Sequence, residues 1–406
     1  MKLYTCANEL KKSFPLLYGN VKLEQIKRYN KLIRHFRATF GQKSCYVASA
    51  GGRVELVGNH TDHNGGKVLG ATVSIDIAAA FLPRDDGKVV VSSDGYTDLV
   101  FTVDEIGQKE ATSAGLIKGV MARLVELGYK IGGFSAYTHS TVPVGAGVSS
   151  SAAFELLVGQ IQNHLYNDGA IDAVTLAKVG QYAENVYFEK PCGLLDQGVI
   201  AVGNVVEMDF ANGFEYEQLA SHMGGLSLVL INSGSHSKLT SEYAAIPTEM
   251  KAVAQYFGKE RLCEVDEDEF FAKINDVTEK VGLRPSLRAT HFFEENKRVE
   301  NAAAALKAGD LTRFLTALNQ SGESSATKLQ NVTYEGSDGK LAEVISTAKK
   351  HNASGAVRVH GGGFAGSALC VVRNENRKKF VDDMQRIYGK ANVTVVRVRS
   401  VGACVL

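Results

Sequence analysis

The chain has 406 residues, 45% of them hydrophobic and 22% charged, with a formal net charge of +1; that length suits two cores rather than one, and so balanced a charge excludes recognition of nucleic acid or of an acidic membrane by bulk electrostatics. Six cysteines (Cys6, Cys45, Cys192, Cys263, Cys370, Cys404) fall at no zinc-ligand or redox spacing, which is cytosolic usage rather than a disulfide framework. The N-terminal residues lack the apolar run of a signal peptide and no stretch is apolar for long enough to span a bilayer, so a soluble cytoplasmic protein with no membrane partner is expected.

In chain order, Ile26, Tyr29, Ile33, Phe36 and Phe40 recur at helical spacing over 21–40, with Lys22, Lys27, Arg28, Lys31, Arg34 and Arg37 on the other face. A solvated face on a docked helix explains that basic stripe more simply than a nucleic-acid contact. Val54, Leu56 and their apolar neighbours alternate as a strand and run into Gly58-Asn-His-Thr-Asp-His-Asn-Gly-Gly66. His60, Asp62 and His63 are metal-ligand types, but H-x-D-H lies in a turn and no further cluster completes a site. A turn so dense in hydrogen-bonding side chains suits a polyhydroxylated ligand; a tight polar loop is the plain alternative. Strands are expected over 72–83 and 88–102 with Asp85-Asp86-Gly87 as a turn, then an amphipathic helix over 112–127.

Behind the strand-like run 133–141 comes Val142-Pro-Val-Gly-Ala-Gly-Val-Ser-Ser-Ser-Ala-Ala153, leading into an apolar helix to about Tyr166. Gly145 and Gly147 let the backbone bend tightly and bring its N–H groups to an anion. Ser149, Ser150 and Ser151 fall in the first helical turn, where unpaired N–H groups and the dipole favour phosphate; a serine-capped turn is the alternative. A helix over about 172–188 carries Glu184. In Glu189-Lys-Pro-Cys-Gly-Leu-Leu-Asp-Gln197, Asp196 sits among Leu194, Leu195, Val199 and Ile200, as a helix cap or a group held for chemistry. Strands are expected over 200–209 and 226–232.

From Gly213 onward helices are expected near 238–257, 290–308, 310–320 and 337–351, and strands over 354–360, 367–373 and 393–399, which divides the chain into 1–212 and 213–406. Gly361-Gly-Gly-Phe-Ala-Gly366 spells G-x-G-x-x-G. A dinucleotide fold needs strand, glycines, then helix, whereas strands flank these glycines on both sides.

Together these stretches resemble the GHMP family of small-molecule kinases, and galactokinases in particular. The galactokinase motif G-R-V-N-L-I-G-E-H-T-D-Y-N-G-G is similar to residues 52–66, with Glu55, Val57, Asn59 and His63 as departures. P-x-G-x-G-L-S-S-S-A resembles the phosphate loop, with Val148 for Leu. P-C-G-I-M-D-Q resembles residues 191–197, and G-G-G-F-G-G resembles Gly361–Gly366. The resemblance extends over nearly the whole chain through Ser241-Glu-Tyr243 and Asn319-Gln-Ser321.

The resemblance implies a two-domain α+β protein, ribosomal-S5-like then ferredoxin-like, with its active site in the cleft between them. It implies a kinase that uses ATP and Mg²⁺ to phosphorylate the anomeric hydroxyl of galactose. By the same resemblance Asp196 is the base facing that hydroxyl and Arg53 lies beside it. Ser150 and Glu184 are magnesium ligands. Asn59, His60, Asp62, Gly193 and Tyr243 contact the sugar. Gly145, Gly147, Ser149, Ser150 and Ser151 cradle ATP, and Gly361 to Gly363 approach the ligand from the other domain. Asn59 stands where galactokinases carry a glutamate to the sugar's 6-hydroxyl; Gly51, Gly70 and Gly322 are further departures, and His63 and Lys67 stand where aromatic residues are usual. Losing the glutamate's charge admits galacturonate as a rival substrate, because it removes the repulsion of a 6-carboxylate. A catalytically silent sugar sensor is the second reading; such sensors lack the Ser-Ala pair that Ser151-Ala152 supplies here. Nothing in the chain sets an oligomeric state.

Overall fold

The computed structural model describes residues 2–143, 147–190, 192–219, 223–234 and 239–406. Its strands, in chain order, are β1 (Tyr46–Val57), β2 (Lys67–Arg84), β3 (Lys88–Ser93), β4 (Leu99–Thr102), β5 (Gly133–Ser140), β6 (Val205–Asp209), β7 (Glu215–Leu219), β8 (Leu226–Asn232), β9 (Ala356–His360), β10 (Ser367–Arg373), β11 (Val393–Val396) and β12 (Cys404–Val405). They form two sheets. The first runs β12-β1-β2-β5-β3-β4, with the β6–β7 hairpin on another stretch of β2; the second runs β11-β8-β10-β9. Among the described residues only β3 and β5 pair in parallel; the other pairs are antiparallel.

β1 is buried at every residue after Tyr46, because the helix Ser150–Tyr166 packs on the first sheet and helix Leu283–Lys307 also reaches β1 and β2. A strand covered on both faces is buried along its length, and Arg53 lies on it, 6% exposed. The second sheet meets helices Lys340–His351 and Arg377–Tyr388, where Val344, Ala348, Phe380 and Met384 pack on Val229, Ile231, Val357 and Cys370. The fold is the mixed α+β arrangement expected. Among the described residues no helix is long and apolar enough to cross a membrane.

Four expectations change. Residues 200–202 close a helix, Leu195–Val202, before β6 begins at Val205; a short unbroken apolar run does not tell buried helix from buried strand. The 88–102 strand is a hairpin, β3 and β4. Helix Arg377–Tyr388 and strand β7 were not expected. A division at 212 cuts through the β6–β7 hairpin, and the C-terminal residues return to the first sheet through β12 and a Val73–Val398 bridge. The first sheet therefore takes strands from both ends of the chain.

Candidate active site

The site starts where β1 touches the phosphate loop. A Cβ on Gly52 would lie 2.9 Å from the Val148 carbonyl oxygen, so only glycine lets the loop settle on the strand. The Arg53 N–H then donates to that carbonyl at 3.2 Å. Anchored there, the Arg53 guanidinium spans two groups: Nε and Nη2 approach Asp196 Oδ1 at 2.7 and 2.6 Å, and Nη1 donates to the Gly147 carbonyl. Asp196 lies in the first turn of helix Leu195–Val202, and its Oδ2 accepts from Ser149 Oγ at 2.6 Å. Burial alone would raise the Asp196 carboxyl, but the Arg53 charge and the Ser149 hydroxyl outweigh it and hold the group below its ordinary range. An ionised carboxylate beside a fixed guanidinium is the result.

Ser149 caps helix Ser150–Tyr166 in the left-handed region, at φ +60°. That entry angle sets which serine looks where. Ser151 Oγ donates to Glu184 Oε1 at 2.9 Å, while among the described residues Ser150 Oγ has no side-chain hydrogen bond. The geometry thus places Ser151, not Ser150, with Glu184 as an oxygen pair. Glu184 is 1% exposed and sits in a turn of π-helix, Ala183–Tyr187, the irregularity that turns it out of the regular helical face. Lys190 Nζ meets its Oε1 at 2.6 Å. Gln197 Nε2 donates both to Glu184 Oε2 at 2.9 Å and to Glu155 Oε2 at 3.0 Å. Burial, then the neighbouring Glu184, pushes the Glu155 carboxyl well up, so Glu155 stays neutral. Replacing Glu184 by alanine is expected to raise the Mg²⁺ needed for half-maximal ADP binding by about 10–100-fold; an unchanged calorimetric titration removes Glu184 from any metal site.

On the far side, the three carbonyls of Gly361–Gly363 each accept a hydrogen bond. Asn59 Nδ2 donates to Gly361 at 2.9 Å, His60 Nε2 lies 3.0 Å from the Gly362 oxygen, and Tyr243 Oη donates to Gly363 at 3.1 Å. Three of the five residues assigned to the sugar therefore also hold this glycine loop. Asn59 is fully buried, and its Oδ1 accepts from Asn331 Nδ2 at 2.7 Å and Ser325 Oγ at 3.2 Å. Its amide has no donor or acceptor left for a 6-hydroxyl, which revises that expectation. Burial, then His63, lowers His60 to about 4, so the ring donates as a neutral imidazole. Asp62 and Gly193 lie against each other: a Cβ on Gly193 would sit 1.8 Å from Asp62 Oδ2, so glycine alone admits the carboxylate. Gly147 lies with Arg53; Gly145 and Pro191 lie outside the described residues.

Residues 34–83 match the family model described as the galactokinase galactose-binding signature, and 115–204 match the GHMP kinases N terminal domain. Galactokinase of Lactobacillus helveticus is 32% identical over 377 residues, covering 89% of this chain and 94% of its own. The chain belongs to the galactokinase family. The galactokinase of Clostridium tetani is 30% identical over 382 residues, covering 91% and 95%. A crystal structure of Lactococcus lactis galactokinase complexed with galactose superposes with a TM-score of 0.80 at 27% identity, covering 98% of this chain and 99% of that one.

Against the galactokinase motif, position 55 has exchanged amide for carboxylate and position 59 the reverse. The structure joins the two: Asn59 Nδ2 donates to Glu55 Oε1 at 2.9 Å, and Arg358 Nη2 reaches the same oxygen at 2.8 Å. The carboxyl group is displaced from position 59 to position 55 rather than lost. Burial outweighs Arg358 and Arg53 and pushes the Glu55 carboxyl up to about 7. The unfolded group ionises near 4.5, so the folded protein holds the extra proton between those values. Its stability contribution is therefore full at acid pH and lost as pH rises through about 7. Glu55→Gln, which cannot ionise, is expected to gain about 2–3 kcal/mol on the native protein between about pH 5 and pH 8, read from denaturation midpoints. A difference independent of pH contradicts this.

Sequence reasoning missed Lys190, Gln197, Glu155 and Asn331. Lys190 and Gln197 lie in the same motif as Asp196, and Glu155 follows Ser151 by one helical turn, so their signal was position beside assigned residues. Asn331 had none: it follows a turn of π-helix, Ser325–Leu329, and reaches Asn59 from 272 residues away.

Proposed function

We propose that this chain is an ATP-dependent kinase that transfers the γ-phosphoryl group of ATP to the anomeric hydroxyl of galactose. The observation that carries the reading is the Arg53–Asp196–Ser149 arrangement, packed on Gly147 at the start of a helix whose free N–H groups favour phosphate. The hydroxyl oxygen bonds to the γ-phosphorus as the bond from phosphorus to the β–γ bridging oxygen breaks; ADP leaves and the hydroxyl proton passes to Asp196. A base held well ionised serves here, since the transition state is loose and alignment outweighs deprotonation. Arg53 keeps Asp196 charged in the ground state and offsets charge gathering on the phosphoryl oxygens.

Ser151 and Glu184 suit a hard cation that takes oxygen ligands and keeps waters and phosphate oxygens for the rest. Magnesium held there would neutralise phosphate charge. Asp62 offers a carboxylate oxygen toward the sugar, against Gly193. The galactose-binding signature matched over residues 34–83 and the galactokinase relatives favour galactose over galacturonate. The assembled Asp196–Arg53 pair and Ser151-Ala152 favour an enzyme over a silent sensor. A panel of hexoses and uronic acids with ATP and Mg²⁺, followed by ADP release, tests this. Galactose is expected to give the highest kcat/KM; galacturonate ahead of it overturns the substrate, and no turnover on any sugar overturns the kinase.

A further inference from the structure

We propose that His360 is a further catalytic residue, whose Nδ1–H donates a hydrogen bond to an oxygen of the phosphoryl group in transfer. The inference rests on the kinase reading above. His360 ends β9, directly before Gly361, and is 2% exposed. Its Nε2 faces the backbone N–H of Glu55 at 3.4 Å. A backbone N–H can only donate, so Nε2 is the bare, accepting nitrogen. Burial, then the Arg53 and Arg358 charges, holds the ring well below its ordinary range, so it is neutral. A neutral imidazole with a bare Nε2 carries its proton on Nδ1.

That Nδ1 has no hydrogen-bond partner among the described residues, and a buried donor left unpaired is costly. Its direction is informative. A Cβ built on Gly147 would lie 3.3 Å from His360 Nδ1, and its three nearest heavy atoms all belong to His360. The Gly147 carbonyl is already taken by Arg53. The buried donor therefore faces Gly147 of the phosphate loop, beside the arginine that holds Asp196. A donor there takes an acceptor oxygen. With a guanidinium beside it and the phosphate-loop backbone in front, the fitting acceptor is an anionic phosphoryl oxygen rather than a sugar hydroxyl. Because β9 belongs to the second sheet, this bond also ties that sheet to the reacting group.

Three variants separate this role from a structural one. His360→Asn places an amide N–H where Nδ1–H was and drops the acceptor at Nε2; His360→Gln keeps a polar group near Nε2 and drops the Nδ1 donor; His360→Leu drops both. Turnover is expected to fall about 10²–10³-fold in the Gln and Leu variants, with the Asn variant close to wild type and with ADP affinity and the KM for sugar unchanged in all three. In the wild-type protein with ¹⁵N-labelled histidine, the His360 Nδ1–H resonance is expected to shift when ADP, Mg²⁺ and beryllium fluoride are added together. Galactose alone, or ADP with Mg²⁺ alone, is expected to leave it in place. An Asn variant as slow as Leu, an active Gln variant, or a resonance moved by galactose alone overturns the assignment. Wild-type protein that phosphorylates no sugar while the resonance still answers to beryllium fluoride overturns the sugar-kinase reading and leaves the phosphoryl contact standing.

Discussion

Asparagine in place of Asp196 is expected to lower turnover by about 10²-fold or more while ADP and ATP still bind. The substitution preserves shape, so the helix Leu195–Val202 and the hydrogen bond from Ser149 can persist. It removes the charge that Arg53 pairs with at 2.6 Å and the oxygen that takes the proton. The loss should fall on kcat, because nothing Asp196 does in nucleotide binding changes. The direction of its shift adds a second readout: since Arg53 and Ser149 hold the carboxyl below its ordinary range, wild-type kcat should not decline on the acid side until the pH falls below about 4. Near-native turnover of the variant, measured with calorimetric ADP affinity alongside, removes Asp196 as the base.

Lysine in place of Arg53 separates charge from geometry. The guanidinium reaches Asp196 Oδ1 with two nitrogens and the Gly147 carbonyl with a third. An ammonium offers one compact charge and cannot span both groups. The expected loss is about 10²–10³-fold in kcat/KM, although the formal charge is unchanged. A lysine variant within a few-fold of wild type would mean that only the positive charge matters.

The chemistry of this site was legible where it lies in contiguous stretches. Gly147, Ser149, Asp196 and Arg53 come from short runs that the resemblance to galactokinases assigns to one site, and the structure brings all four to one point. The roles of Asn59, His60 and Tyr243 were not legible, because the carbonyls they hold are 302, 302 and 120 residues away. A polar side chain in a turn looks the same in sequence whether it faces a ligand or a distant backbone. The choice between Ser150 and Ser151 turns on where the helix begins, which the left-handed Ser149 fixes. The helix at Leu195–Val202 and the return of β12 to the first sheet depend on tertiary packing that no local pattern carries. His360 was passed over as the residue before a glycine run; its meaning comes from Glu55 on one side and Gly147 on the other.

The most direct test is the position of the phosphate in the product. After reaction of galactose with ATP and Mg²⁺, phosphorus NMR is expected to show one new monoester signal coupled to the anomeric proton, at a kcat/KM above that for galacturonate. Coupling to the protons on carbon 6 instead, or a faster reaction with galacturonate, would contradict the account.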